Sequence, residues 1–248
     1  MERPIKKIVI LSDLHLSYID HLIKDEDYIG NHREDEILSI LLKKRFFTDA
    51  DAVVLIGDIL EMYQAFDRKH YFKKIKHRYP RTFMTILSDP YIYLINGNHD
   101  CNALKYFTYR ISLDRLFLGG YLFEHGDKGD KFFRSEWRTK LSRFFAKATY
   151  FVEGIIGRIT KYKFTKLILE HERRENERSL SHESYAKELL ESSPHVRGVI
   201  LGHTHKPFYR VFDEWKDRFY FNTGTYIKRD VWLLDVERNT IQKVDLRT

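Results

Sequence analysis

Four short runs of apolar, largely β-branched residues each break off at a polar cluster: Lys7–Ser12, Ala52–Ile56, Tyr91–Ile95 and Val196–Leu201. Runs of this length without polar alternation predict strands buried on both faces. Helix-like stretches such as Asp35–Arg45 separate the first three, which predicts an α/β arrangement around a largely buried sheet. Tyr121–Glu124 reads as a further short strand after the turn at Gly119-Gly120. Arg218–Asn222, Val231–Asp235 and Thr240–Val244 predict a closing antiparallel meander. In open α/β sheets ligands gather beyond the carboxyl ends of strands, and the polar clusters of this chain fall there.

Between Gly129 and Pro194 the period changes to that of a helix. Phe133, Trp137, Leu141, Phe144, Ala148, Phe151, Ile155 and Ile159 recur at steps of three or four and make one apolar stripe. Glu170–Arg178 is almost wholly charged, and Ser181–Glu191 is a further helical segment. The expectation is one domain over residues 1–248, with a helical insertion at about 130–193 and no internal repeat.

Composition narrows the class. An apolar fraction of 43% and a charged fraction of 32% in 248 residues suit a folded domain, and no apolar run is long enough to span a bilayer. The opening Met-Glu-Arg-Pro-Ile-Lys-Lys leads straight into Ile8–Leu11 and Asp13, too short for a signal-peptide core, so a cytoplasmic protein is expected. A single cysteine, Cys101, excludes an internal disulfide and suits a reducing compartment. The basic balance is concentrated: residues 131–166 hold ten cations against Glu136 and Glu153, a net +8 where the whole chain carries +7. The remainder is close to neutral, so the charge reads as a local device that attracts an anionic partner.

The polar clusters carry the chemistry. They are Asp13-Leu14-His15, Gly57-Asp58, Gly97-Asn98-His99-Asp100, His125-Gly126-Asp127 and Gly202-His203-Thr204-His205. Alternate residues at a strand end share a side, so Asp13 with His15, and His203 with His205, can each act as a pair. Carboxylate, imidazole and amide oxygen together suit Mn²⁺, Fe²⁺ or Zn²⁺ better than Ca²⁺. Asp13, His15, Asp58, Asn98, His125, His203 and His205 are too many for one ion and suit two that share a carboxylate. Singly, each cluster has an ordinary explanation: Asp58 as a helix cap, Asn98 as a turn residue, His125 as a half-buried ring. Five of them in order at strand ends leave those explanations little room.

In that order the clusters resemble the signature of the calcineurin-like metallophosphoesterase family: Asp-x-His, Gly-Asp, Gly-Asn-His-Asp/Glu, His and Gly-His-x-His. The resemblance covers Ile8 to Asn222 apart from the insertion. It implies an α/β (α+β) fold of two mixed β-sheets packed as a sandwich and flanked by helices, with the insertion as a lid. It also implies that Asp13, His15, Asp58 and His205 hold one divalent cation and Asp58, Asn98, His125 and His203 the other, with Mn²⁺ the first expectation. Asn222-Thr223-Gly224 is similar to the stretch that follows the last motif in many relatives. The activity implied is hydrolysis of a phosphodiester or pyrophosphate. Two cations supply neutralisation of phosphoryl charge and a water of lowered pKa. His99, beside Asn98, is then placed to protonate the leaving oxygen, with Asp100 orienting its ring; the alternative is that His99 fixes Asn98.

Within that family the insertion is similar to the lid of the UDP-2,3-diacylglucosamine pyrophosphohydrolases of lipid A synthesis. This implies a lipid-linked substrate, an anionic membrane surface as partner and a peripheral place at the inner membrane face. Trp137, Arg138, Phe144 and Phe145 would then meet acyl chains and headgroups. That branch carries Arg where this chain has His99. A soluble nucleotide or nucleic acid as substrate stays open, since a basic patch attracts any polyanion. So do packing of the stripe on the enzyme's own domain and, from another class, a scaffold without chemistry. The oligomeric state is left open.

Overall fold

The strand and helix positions follow from where each apolar run finds two faces to bury. A computed structural model describes residues 4–17, 32–43, 50–62, 67–100, 112–130 and 175–246, together with Tyr106 and Phe144. In chain order the elements are β1 (Lys7–Ser12), α1 (His32–Leu42), β2 (Ala52–Ile56), α2 (Arg68–Arg78), α3 (Pro80–Ser88), β3 (Ile92–Ile95) and β4 (Ser112–Leu113). There follow β5 (Arg115–Leu118), β6 (Tyr121–Glu124), α4 (Glu175–Ser192), β7 (Gly198–Leu201), β8 (Pro207–Val211), β9 (Phe219–Thr223), β10 (Trp232–Asp235) and β11 (Thr240–Lys243).

Two mixed sheets result, a six-stranded one in the order β11-β10-β1-β2-β3-β4 and a five-stranded one in the order β5-β6-β7-β9-β8. Because side chains alternate along a strand, each central strand feeds two cores. Ile8, Ile10, Val54, Ile56 and Ile95 of the first sheet meet Tyr121, Phe123, Ile200, Phe219 and Phe221 of the second to fill the sandwich. The opposite face of the first sheet, with Val9, Leu11, Val53, Leu55 and Leu94, is covered by Leu38, Leu41, Phe72, Ile75, Phe83 and Ile86 of α1, α2 and α3. The outer face of the second, with Leu122, Val199, Leu201 and Tyr220, is covered by Tyr185, Ala186, Leu189 and Leu190 of α4. Each of the Val, Leu, Ile and Phe side chains contributes roughly 1.5–3 kcal/mol on burial.

Local chemistry sets the helix ends. Asp67 caps α2 by accepting from His70 N at 3.1 Å, and Lys76, His77 and Arg78 face the negative end of its dipole. Asp35 of α1 caps α3, accepting from Arg81 N at 3.1 Å and Thr82 N at 2.8 Å. Arg218 closes α4 by donating to Leu190 O, Ser193 O and Val196 O at 2.6, 2.8 and 2.9 Å.

Three features differ from the sequence expectation. The closing meander is not formed. Instead β9 pairs parallel to β7 and antiparallel to β8, while β10 pairs antiparallel to β1 and β11 in the other sheet. The reason is that β9 offers aromatic rings to both of its faces and so takes an interior position. A short 3₁₀ turn (Tyr226–Lys228) and the left-handed Arg229 (φ 59°) then carry the chain across to the other sheet. Glu34 of α1 anchors that crossing through a bidentate pair with Arg229, 2.7 Å on each side. Secondly, β4, β5 and the edge strand β8 are additions to the expected strands: β4 is two residues long, β5 is a short Leu116-Phe117-Leu118 run, and β8 faces solvent along most of its length. Thirdly, the cations are less confined than the net sum suggests: α2 carries six Lys or Arg and two His with no acid, and its buried residues are Tyr71, Phe72 and Ile75.

Packing is close where β7 meets β9. A Cβ on Gly198 would stand 2.8 Å from the Phe219 ring. Gly198→Val should therefore cost about 1–3 kcal/mol through overpacking. The check is the urea midpoint, which should fall with an unchanged slope; a midpoint equal to the parent's would mean that Phe219 relaxes freely.

Candidate metal centre

Five strand ends converge on one patch at the open edge of the sandwich. Asp13 and His15 follow β1, Asp58 follows β2, Asn98 and His99 follow β3, His125 follows β6, and His203 and His205 follow β7. The chain turns sharply at each end. Asp13, His15, Asp58, His203 and His205 all have left-handed backbone, with φ of 51, 46, 47, 71 and 57°. Such a conformation costs a residue with a Cβ roughly 1–3 kcal/mol and concentrates at functional sites. Here it folds each side chain back over the end of its strand. Close approach depends on three glycines: a Cβ on Gly57 would lie 2.2 Å from His125 Nδ1, one on Gly97 2.2 Å from Asp58 Oδ1, and one on Gly202 2.7 Å from Asp13 Oδ2.

The donor atoms form two groups. In one, Asp13 Oδ1 lies 3.1 Å from His205 Nε2, and His205 Nε2 lies 3.2 Å from His15 Nε2. In the other, His125 Nε2 lies 3.1 Å from Asn98 Oδ1, 3.3 Å from Asp58 Oδ2 and 3.3 Å from His203 Nδ1. Asp58 Oδ2 stands between them, 4.0 Å from His15 Nε2. Ligands about 2.0–2.2 Å from a shared cation are separated by roughly 3.0–3.4 Å at octahedral to tetrahedral angles. The spacings within each group match that range, the 4.0 Å from Asp58 Oδ2 to His15 Nε2 is longer, and two pairs of imidazole nitrogens face each other at distances suited to a shared cation. The residues fit a pair of divalent cations.

The outward-facing atoms are fixed by the same network. Asp58 Oδ1 accepts from His99 N at 2.7 Å, which leaves Oδ2 for the centre. His125 Nδ1 donates to Ile56 O at 3.3 Å, leaving Nε2 as the lone-pair side. Thr225 Oγ1 donates to Asp13 O at 2.9 Å, and Asn222 Nδ2 donates to Gly202 O at 2.6 Å, tying the β1 and β7 ends together.

Burial sets the electrostatics. Asp13 and Asp58 are 0% and 1% exposed. Burial pushes the Asp58 carboxyl up, but the charges of His125 and His99 outweigh it and hold the group well below the ordinary carboxylate range. Burial, the largest single influence, pulls His125 down, but the charge and hydrogen bond of Asp58 together with the charges of Asp13 and Asp127 outweigh it and raise the group. Asp100 differs: burial and the neighbouring Asp58 charge push it up to about 8, against the backbone amides it accepts from.

The seven residues singled out in the sequence as ligands therefore lie together. Asp100 requires a correction. Its carboxylate does not serve the His99 ring but accepts from Leu60 N at 2.7 Å and Gly97 N at 2.8 Å, tying the β2 and β3 ends. The carboxylate against His99 is Glu61, with both oxygens 2.9 Å from His99 Nδ1 and Oε2 also 2.8 Å from His15 Nδ1. The pull of His99 and hydrogen bonds from both rings overcome burial and lower Glu61 to about 2. Sequence reading passed over Glu61; its signal was an acid three residues after Asp58 in an otherwise apolar stretch. A bridge between Leu16 and Leu60 lays that stretch beside His15. Asp130, also passed over, is buried 3.9 Å from His203 Nε2. Of the expected lid residues, Trp137, Arg138 and Phe145 lie outside the described residues, as does most of the apolar stripe; Phe144 is 65% exposed.

Residues 6–207 match the family described as calcineurin-like phosphoesterase, and the chain belongs to that family. It is accordingly a metal-dependent phosphoester hydrolase of a class that works with a dinuclear centre. No curated protein matches the sequence. Solved structures similar to it include an archaeal phosphodiesterase, 15% identical over 96% of this chain and 98% of the other, with a TM-score of 0.45. Another is a dimetal phosphatase from Danio rerio, 12% identical over 93% and 92%, with a TM-score of 0.46. A third is a metallophosphoesterase from Sphaerobacter thermophilus, 14% identical over 98% and 89%, with a TM-score of 0.43. These likenesses are loose, and membership of the family rests on the sequence match.

The contact between Gly97 and Asp58 gives a direct test of the centre. In Gly97→Ala the new methyl would meet Asp58 N and Oδ1, each 2.2 Å away, and backbone cannot yield as a flexible side chain does. The variant should lose bound metal, measured as ions per chain after dialysis against Mn²⁺. Full metal content would show that the β3 end can move without disturbing Asp58.

Proposed function

We propose that this chain hydrolyses a phosphodiester or pyrophosphate bond at two divalent cations, Mn²⁺ first among them and Fe²⁺ or Zn²⁺ the alternatives. Asp13, His15, Asp58 and His205 hold one; Asp58, Asn98, His125 and His203 hold the other. The observation that carries this reading is the place of Asp58 Oδ2, buried between the two donor groups and within 3.3–4.0 Å of a ring nitrogen in each. When bound, the cations neutralise phosphoryl charge and lower the pKa of a water. The chain's own contribution is orientation and proton control. Glu61 holds Nδ1–H of His15, so that Nε2 presents its lone pair to the centre. Glu61 also holds His99 Nδ1–H and stabilises the imidazolium, whose Nε2 is 4.0 Å from Asp58 Oδ2. With its side chain 29% exposed, the His99 ring can reach substrate and give a proton to the leaving oxygen.

For substrate we propose a nucleotide-linked lipid such as UDP-2,3-diacylglucosamine, met at an anionic membrane surface on the cytoplasmic side, with residues 130–193 an insertion in one domain. The interleaved cations and large apolar residues of 131–166 support this, as does the exposure of Phe144. Among the described residues no helix is long and apolar enough to cross a membrane. His99, where the lipid A branch carries Arg, favours the second reading, a soluble nucleotide or nucleic acid. The deciding experiment is a hydrolysis panel with Mn²⁺: an aryl phosphodiester, UDP-diacylglucosamine, simple nucleotide pyrophosphates and single-stranded nucleic acid. Turnover of the aryl ester with preference for the acylated substrate is expected. No turnover of any of them would leave a scaffold.

Two variants test the roles. Asp58→Ala should lose both cations, because it removes the charge between them; two ions retained per chain with normal turnover would sink the bridging assignment. His99→Asn should keep its metal and lose roughly 10²–10⁴-fold in turnover on a poor leaving group, and much less on an activated aryl ester. Equal losses on both would assign His99 to fixing Asn98 instead.

A further inference from the structure

His182 of α4 lies outside every family motif, yet it is packed into the centre. It is 0% exposed. Its ring stacks on that of His203, with centroids 5.3 Å apart and planes 24° from parallel, within the range of favourable ring pairs. On the other side of His203 stands His125, edge-on at 5.0 Å and 80°. The His203 ring is thus held between an edge and a face, with Nδ1 turned towards His125 Nε2 at 3.3 Å.

The neighbours of His182 are built to admit it. A Cβ on Gly126 would stand 3.5 Å from His182 Cε1, and one on Gly129 3.2 Å from its Nδ1. The same part of α4 holds both the end of β6 and the loop after it: Tyr185 Oη donates to Glu124 Oε1 at 2.6 Å, and Ser181 Oγ donates to Gly129 O. Residues 181, 182 and 185 lie on one face of the helix. One helical turn therefore fixes the loop carrying His125 and the ring of His203 together, from two different strand ends.

We propose that His182 is a positioning residue that sets the orientation of His203 and so the affinity of one of the two cations. The inference rests on the dinuclear reading above. A ring free to turn about its χ angles must be ordered when the cation binds, whereas a ring already stacked on His182 has lost that freedom in advance. An aromatic ring pair of this kind is worth roughly 2–12-fold in an equilibrium constant.

The test is Mn²⁺ titration of the metal-free full chain, with electron paramagnetic resonance reading free, singly bound and spin-coupled paired Mn²⁺. Thermal stability of each metal-free protein is measured alongside. The parent should bind two ions and show the coupled signal. His182→Leu, which fills the volume but cannot stack, should bind one ion as the parent does and the other roughly 2–12-fold more weakly. His182→Phe, which keeps a flat ring, should restore most of that affinity and also serves if the Leu variant folds poorly. A purely structural role would weaken both ions alike and follow the metal-free stability. Parent-like binding of both ions by the Leu variant, or selective loss persisting in Phe, overturns the proposal. A parent binding fewer than two ions overturns the dinuclear reading itself, and this inference with it.

Discussion

A carboxylate sealed away from water organises this molecule. Asp58 is almost wholly buried, and the effective cost of burying such an ion is several kcal/mol unless opposite charge and donors meet it. One oxygen is met by the His99 amide; the other faces rings brought from three further strands. No single strand could supply such a surround, because alternate side chains point to opposite faces. The two sheets have to be packed face to face so that several strand ends open on one place. The layered cores hold that arrangement, and Asp100 and Thr225 tie its ends through backbone hydrogen bonds.

The arrangement carries a conformational cost. Five of the residues that turn back over the strand ends do so with left-handed backbone, although none is glycine. A chain optimised for stability alone would place Gly or Asn there. Strain of this kind persists only where the surroundings over-determine it. The interior strands run directly into the strained positions, so the stability of the sandwich offsets the strain of the centre. Loosening the core and relaxing the site are therefore linked.

Around the donor atoms, the supporting residues are unevenly distributed. Glu61 serves two rings at once, so His15, the expected cation ligand, and His99, the proposed proton donor, share one carboxylate. Opposite, His203 leans on α4, an element from the outer layer of the second sheet. The centre thus draws on one outer layer of the fold as well as on the sheets. The basic face of α2 adds positive charge on a helix that follows the Asp58 loop in the chain, which suits an enzyme whose substrates are anionic.

The amino-acid sequence by itself determined the apolar runs, the polar clusters that end them and hence the family. Those signals are local: a buried strand must be apolar along its length, and a ligand must be an Asp, Asn or His wherever the chain comes from. β1, β2, β6 and the donor residues after them were legible for that reason. Sheet membership was not, because β9 and β10 have similar local patterns and differ in which faces become covered. Nor were the partners of the rings. Asp100 is next to His99 in the chain but turns to the backbone, while Glu61, 38 residues away, takes the place expected of it. His182 reaches the centre from a helix whose apolar positions, Tyr185, Ala186, Leu189 and Leu190, mark a packed face but not what lies against it. Which carboxylate or ring meets a given imidazole depends on how separate strands and helices stack, and that is decided by packing between elements, which no stretch of sequence contains.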